Sequence, residues 1–193
     1  AASTGEWGTA GRNLEKLAGR HPHIDWIVFV RATVTTPTDS DAGERLYLEA
    51  ARRFEAAGNV RGEVLARMNL QSMFYQSGRI GSAAQQVERV ISLAERAQDP
   101  EIRMRARATE AQFFVATGTK LGRAHRALQQ AEAELDAVPT YAEATLRLAT
   151  LRREMGRPAD ALPLLVELLE RDAYHLDALI ALGHTIPFVW DGS

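Results

Sequence analysis

Breaks between apolar helices recur along this chain at a nearly fixed interval, and that regularity leaves few folds open. Gly78-Arg79-Ile80 returns as Gly118-Thr119-Lys120-Leu121 and again as Gly156-Arg157-Pro158. Each break follows a helix-length apolar stripe, and soon after each comes a small residue on the next stripe: Ala83, Ala124 and Ala161. A second series falls between these: His21-Pro22, Gly58-Asn59, Asp99-Pro100, Val138-Pro139 and Asp172-Ala173. Glycine tolerates the left-handed conformation that closes a helix and proline cannot continue one, so both series mark helix boundaries for physical reasons. Gly78 and Gly118 are 40 residues apart, and Gly118 and Gly156 are 38 apart. The last full unit is shorter, about 34 residues, and a period of roughly 20–50 is the signature of stacked repeats.

The clearest hairpin spans 62–97. Its first helix carries Val64, Leu65, Met68, Met73 and Phe74, and its second carries Ala83, Ala84, Val87, Val90, Ile91 and Ala94. Spacings of three and four place each set on one stripe. The stripes are too wide for two helices to cover one another, so neighbouring hairpins must complete the core. The same pattern predicts helices over 6–19, 24–35, 45–57, 101–117, 122–137, 141–155, 159–171 and 174–186, about ten in all. Leu14 and Leu17 face inward in the first, and Leu46, Ala50, Phe54 and Ala57 share a stripe in the third. The run Ile27-Val28-Phe29-Val30, taken alone, could be a strand; the repeat around it makes helix the expectation. The polar loop at 36–41 holds good N-cap residues, and Pro163 is expected near the first turn of its helix, where a missing amide hydrogen costs little.

Composition excludes several classes. With 46% hydrophobic and 25% charged residues the chain is an ordinary folded protein rather than a disordered one. A formal charge of −2 gives no bulk field to recruit nucleic acid or an anionic membrane. The absence of cysteine removes disulfides, thiol chemistry and cysteine–zinc sites. No apolar run approaches the roughly 20 residues needed to cross a bilayer; the stretch 24–34 is too short and holds Asp25 and Arg31. A cytoplasmic setting is expected. The chain begins without methionine and closes on an apolar segment, 187–193, which fits a piece of a longer protein. Phe188 and Trp190 are expected either to fold back over the last hairpin or to be covered by a further domain or another copy.

The chemistry-bearing residues form no recognisable active site. His21, His23 and Asp25 are three metal-ligand types within five residues, but Pro22 stiffens their spacing and turn and cap roles explain them. Gly118-Thr119-Lys120 has the letters of a phosphate loop in the wrong order. The serines lack a nucleophile-elbow context, and His125, His175 and His184 are isolated. Glu132 and Glu134 lie two apart on a helix and diverge. No catalysis, cofactor or metal is expected. Arg103, Arg105 and Arg107, with Arg96, Arg123 and Arg126, make the main basic cluster. It lacks aromatic stacking partners, and Glu101 and Glu110 beside it point to surface ion pairs rather than to nucleic acid.

Asn69-Leu70, Phe74-Tyr75, Gly78 and Ala83 together resemble the tetratricopeptide (TPR) repeat. Ala149 with Gly156, Ala161, Leu165 and Leu168 resembles it again, and Leu182-Gly183 is similar to the start of a further unit. The departures are Gln71 where a small residue is usual, no tryptophan in the central units, and two longer repeats of the kind found in TPR regions of bacterial regulators. The resemblance implies an all-α, right-handed superhelical solenoid of antiparallel helix pairs, one array over 1–193, with its first helices lining a concave groove for a peptide or partner protein. Carried over by repeat spacing, Asn69, Thr109 and Arg147 occupy equivalent inner positions, with Ala181 the next in the series. Ser72, Gln112 and Thr150 lie one turn along, followed by His184, and Arg105 and Glu143 one turn before, followed by Asp177. An amide at Asn69 can pair with a peptide backbone, and Arg105 and Arg147 can fork onto a carboxylate. The implied role is a non-catalytic interaction module. A second implied role is the sensory arm of a larger bacterial signalling protein, restraining a caspase-like protease or a transcription regulator.

Overall fold

The computed structural model describes residues 4–21, 23–137 and 141–189. Among these residues lie ten α-helices and no strand. They are α1 (Thr4–Arg20), α2 (Asp25–Thr35), α3 (Ser40–Ala56), α4 (Val60–Gln76), α5 (Ile80–Arg96), α6 (Pro100–Ala116), α7 (Leu121–Ala133), α8 (Tyr141–Glu154), α9 (Pro158–Arg171) and α10 (Leu176–Thr185). Short 3-10 turns follow α7 at Leu135–Ala137 and α10 at Ile186–Phe188. The boundaries fall within a few residues of those expected, and the 27–30 run is helical. The Val138-Pro139 break lies outside the described residues.

Local chemistry sets the ends. Gly58, Gly78, Gly118 and Gly156 close α3, α4, α6 and α8 with φ of 67°, 74°, 63° and 74°. In each case the following amide reaches back across the last turn: Asn59 to the Phe54 carbonyl at 2.8 Å, Arg79 to Phe74 at 2.8 Å, Thr119 to Phe114 at 3.1 Å and Arg157 to Arg152 at 2.9 Å. This closure requires the left-handed conformation that glycine adopts without penalty. At the starts, the side chains of Asp39, Asn59 and Asp99 accept from the amides of Ala42 (2.8 Å), Gly62 (2.9 Å) and Glu101 (3.0 Å). Pro100 and Pro158 take the first helical positions. Pro163, expected near the first turn, instead sits inside α9: the helix already starts at Pro158, so Pro163 removes one interior backbone bond.

The chain forms two compact units, Ala1–Ala97 and Gln98–Ser193. In the first, each of α1 to α5 packs on its neighbour in sequence. Phe54, Val64, Leu70, Val87, Val90 and Leu93 form its buried centre. Aromatic rings extend it, with Trp26 to Phe54 at 4.8 Å and Phe29 to Tyr47 at 5.6 Å between centroids. A Cβ on buried Gly62 would lie 2.5 Å from the Phe54 ring, so α3 and α4 approach closely only because that residue is glycine. Two expected inward residues are not inward. Leu17 is 43% exposed on α1, whereas Leu14 on the same helix is half-buried. Ala57 is exposed because α3 ends one residue before it.

In the second unit α6 packs on α7 and α8 on α9, the first helices α6, α8 and α10 lie side by side, and α9 also packs on α10. Met104, Ala108, Ala111, Leu128, Leu148 and Leu151 belong to one buried cluster; Ala149, Ala161, Leu165 and Ala181 form another. Alanines at the crossings let helices approach, and leucines fill the space between. Each unit is an all-α stack of helix pairs packed on their neighbours in sequence, the fold class expected from the repeat. Phe188 is 72% exposed and does not fold back over the last hairpin; Trp190 lies outside the described residues.

Candidate functional site

Four of the residues placed at inner positions, Thr109, Gln112, Arg147 and Thr150, lie together between α6 and α8. Thr109 is buried; its hydroxyl donates to the Arg105 carbonyl at 2.9 Å and accepts from Arg147 Nη2 at 3.0 Å. The same Nη2 lies 3.4 Å from Gln112 Oε1. Thr109 and Arg147 are 38 residues apart, the repeat spacing itself, so stacking of equivalent helices is what brings them together. Beside them opens a cavity of about 250 Å³. Ala108, Leu146 and Leu151 give it an apolar lining; Gln112, Arg147, Thr150 and Glu154 give it polar groups of both charges. Such a site can take one apolar side chain and present donors and acceptors to the backbone on either side of it.

The other expected residues lie elsewhere. Arg105, one turn before Thr109, pairs through Nε with Glu101 Oε1 at 2.9 Å on its own helix. Glu143 is in the first turn of α8, and its side chain lies outside the described residues. Asn69 and Ser72 belong to α4 in the first unit. Asn69 is half-buried and donates from Nδ2 to the Leu65 carbonyl at 2.9 Å, and exposed Ser72 accepts from Gln76 at 3.2 Å. Sequence reasoning missed Ala108, Leu146, Leu151 and Glu154. Each lies four residues from Gln112, Arg147 or Thr150, and the i±4 neighbours of those positions would have found them.

The arginine series on α6 is engaged with carboxylates. Arg103 binds Glu134 through two bonds, 2.6 and 2.9 Å. The bonded guanidinium holds the Glu134 carboxyl below its ordinary value, and the carboxylate in turn raises Arg103. Arg107 pairs with Glu110 at 2.9 Å, and Arg123 from α7 closes on the same carboxylate. The expectation of surface pairs needs correction: Glu101 and Glu110 are buried, because the arginines that neutralise them also cover them. The rings of His21 and His23 meet edge to face at 6.1 Å; Pro22 between them lies outside the described residues.

No family model matches the chain, and no curated protein matches it. Solved structures do match it. NprR, in complex with its cognate peptide NprX, aligns over 96% of this chain with a TM-score of 0.67 and 12% identity. That alignment takes in 56% of the NprR chain, so the present chain spans little more than half of that relative's length. PilW, a widely conserved type IV pilus biogenesis factor, aligns over 91% of this chain and 90% of its own, with a TM-score of 0.48 and 17% identity. The helical repeat is TPR-like. At such identity the likeness to NprR extends to the fold and no further. Among the described residues, no helix is long and apolar enough to cross a membrane.

Proposed function

We propose that this chain is a non-catalytic, cytoplasmic interaction module that binds a peptide or an extended segment of a partner protein along the first helices of its repeats. The observation that carries this reading is the α6–α8 groove, where an apolar cavity is bordered by Gln112, Arg147, Thr150 and Glu154. An apolar anchor with polar groups around it is what binds a peptide with direction and register. A fold shared with NprR, whose structure holds a peptide, supports the same reading. Arg147 meets a carboxylate or carbonyl of the ligand, Thr150 and Gln112 its backbone, and the cavity its apolar side chain. Arg105 and Glu143 extend the proposed surface within the second unit, and Asn69 and Ser72 hold the equivalent turns of α4 in the first.

The test is selection of peptides from a random displayed library against the chain. Selected peptides share one apolar residue beside a polar or acidic one. Their affinity falls about tenfold or more, roughly 1.4 kcal/mol, in an Arg147→Glu, Gln112→Ala variant. Helicity by circular dichroism stays unchanged. Equal affinity for the variant removes the groove from the proposal.

A second reading makes the chain the sensory arm of a larger bacterial signalling protein, such as one carrying a caspase-like protease or a transcription regulator. The observation behind it is the 56% coverage of NprR. It requires that a groove ligand change the activity of an attached effector; a full-length protein indifferent to that ligand counts against it.

A further inference from the structure

Three successive first helices in the second unit can be compared position by position. Ala111 of α6 precedes Ala149 of α8 by 38 residues, and Ala149 precedes Gly183 of α10 by 34. In α6 this face is covered by the second helix of its hairpin: Ala111 is fully buried, and Phe114 lies beneath Lys120 and Arg123 at the start of α7, 5.3 and 5.0 Å from the ring centre. In α8 it is covered in the same way. Ala149 packs with Ala161 of α9, and Arg152 donates to the Asp160 carbonyl at 2.6 Å.

In α10 the corresponding face is open among the described residues. Leu176, Leu179 and Gly183 of α10, with Ile186 at its C-cap, follow at steps of three, four and three, one stripe along the helix. The three large residues are 67%, 44% and 41% exposed. A Cβ on Gly183 would meet nothing within 4 Å. The other side of α10 is already committed, with Ala178, Ala181 and Thr185 buried, Ala181 beside Ala149 and Leu165.

We propose that this face of α10 is a second binding surface, distinct from the α6–α8 groove, and that its occupant is an amphipathic α-helix laid antiparallel to α10. The choice of occupant follows from continuity with the α8–α9 interface, in which a second helix covers the same face and Ala161 packs with Ala149. The absence of a side chain at Gly183 lets two helix backbones approach, and Leu176, Leu179 and Ile186 pack into the grooves of the incoming helix. The ligand helix therefore carries alanine or glycine opposite Gly183, with leucine-sized residues one turn to either side.

The test uses the whole chain and a fluorescein-labelled, covalently stapled peptide with the α9 sequence, Pro158–Arg171. Fluorescence anisotropy should show saturable binding, weakened about tenfold or more by Gly183→Leu and by Leu179→Asp. The side chain introduced by Gly183→Leu would occupy open space in the free chain, and leucine is the better helix former, so that variant's circular dichroism spectrum should match the parent and its melting temperature should be no lower. Absence of saturable binding, or equal binding by the Gly183→Leu variant, overturns the proposal. So does concentration-dependent dimerisation of the chain in sedimentation that Gly183→Leu abolishes, because the occupant would then be a second copy.

Discussion

Thr145 shows how one atom can be out of step with its surroundings. Its residue is fully buried in α8, and among the described residues its hydroxyl is the buried side-chain oxygen without a hydrogen-bond partner. The hydroxyls of Thr109, Thr117 and Thr185 donate instead to carbonyls one turn back, those of Arg105, Phe113 and Ala181, at 2.7–2.9 Å. A desolvated hydroxyl with no partner opposes folding, so Thr145→Val, which keeps the branched shape, should stabilise the chain by about 1 kcal/mol. Urea unfolding measures this, and a loss of similar size would mean that the hydroxyl is satisfied in solution. Leu148, three positions on, is the opposite case: fully buried in the α6–α8 cluster. Leu148→Ala should cost roughly 2–5 kcal/mol by the same assay, through lost burial and the cavity left behind.

At the scale of elements, ion pairs tie helices within a hairpin, and one of them titrates in a usable range. Arg103 of α6 and Glu134 just past α7 form a two-bond pair. The bonded arginine holds the folded carboxyl below the ordinary value of 4.5. A carboxyl depressed in the folded state stabilises fully above its unfolded value, and that stabilisation disappears as pH falls through the folded one. Both side chains are partly exposed, so the contribution is at most about 1 kcal/mol. Glu134→Gln should therefore be slightly less stable than the parent at pH 7 and equal to it in acid, with the difference closing below about pH 4.5. Unfolding curves at a series of pH values test this; a gap that persists in acid would assign the loss to packing instead.

For the molecule as a whole, the quality of packing varies along the chain. Among its described side chains α1 contributes half-buried Leu14 and exposed Leu17, whereas α4 contributes fully buried Val64, Ala66 and Leu70. Segments with few buried apolar side chains open at low free-energy cost. In native-state hydrogen exchange the amides of α1 should exchange first in the first unit, and those of α4 and α5 last. Equal protection of α1 and α4 would contradict the packing described. The contrast between these helices marks what could be read in advance. Glycines at 58, 78, 118 and 156 and the capping side chains of Asp39, Asn59 and Asp99 act within a few residues of themselves. Helix ends, helix number and the stacked arrangement were therefore legible in the amino-acid order alone. The repeat spacing put Thr109 and Arg147 at equivalent positions of successive repeats, but their hydrogen bond is visible only in the structure. Other facts depend on which side chains arrive from distant positions. Among these are the close approach of Gly62 to Phe54, the burial of Glu101 and Glu110 beneath their arginines, the exposure of Leu17, and the gathering of Ala108, Leu146 and Glu154 around one cavity. Local sequence determined the helices and their order because hydrogen bonding at helix ends is short-ranged. The tertiary structure alone decided which faces are covered, because burial is a property of neighbours and not of the residue itself.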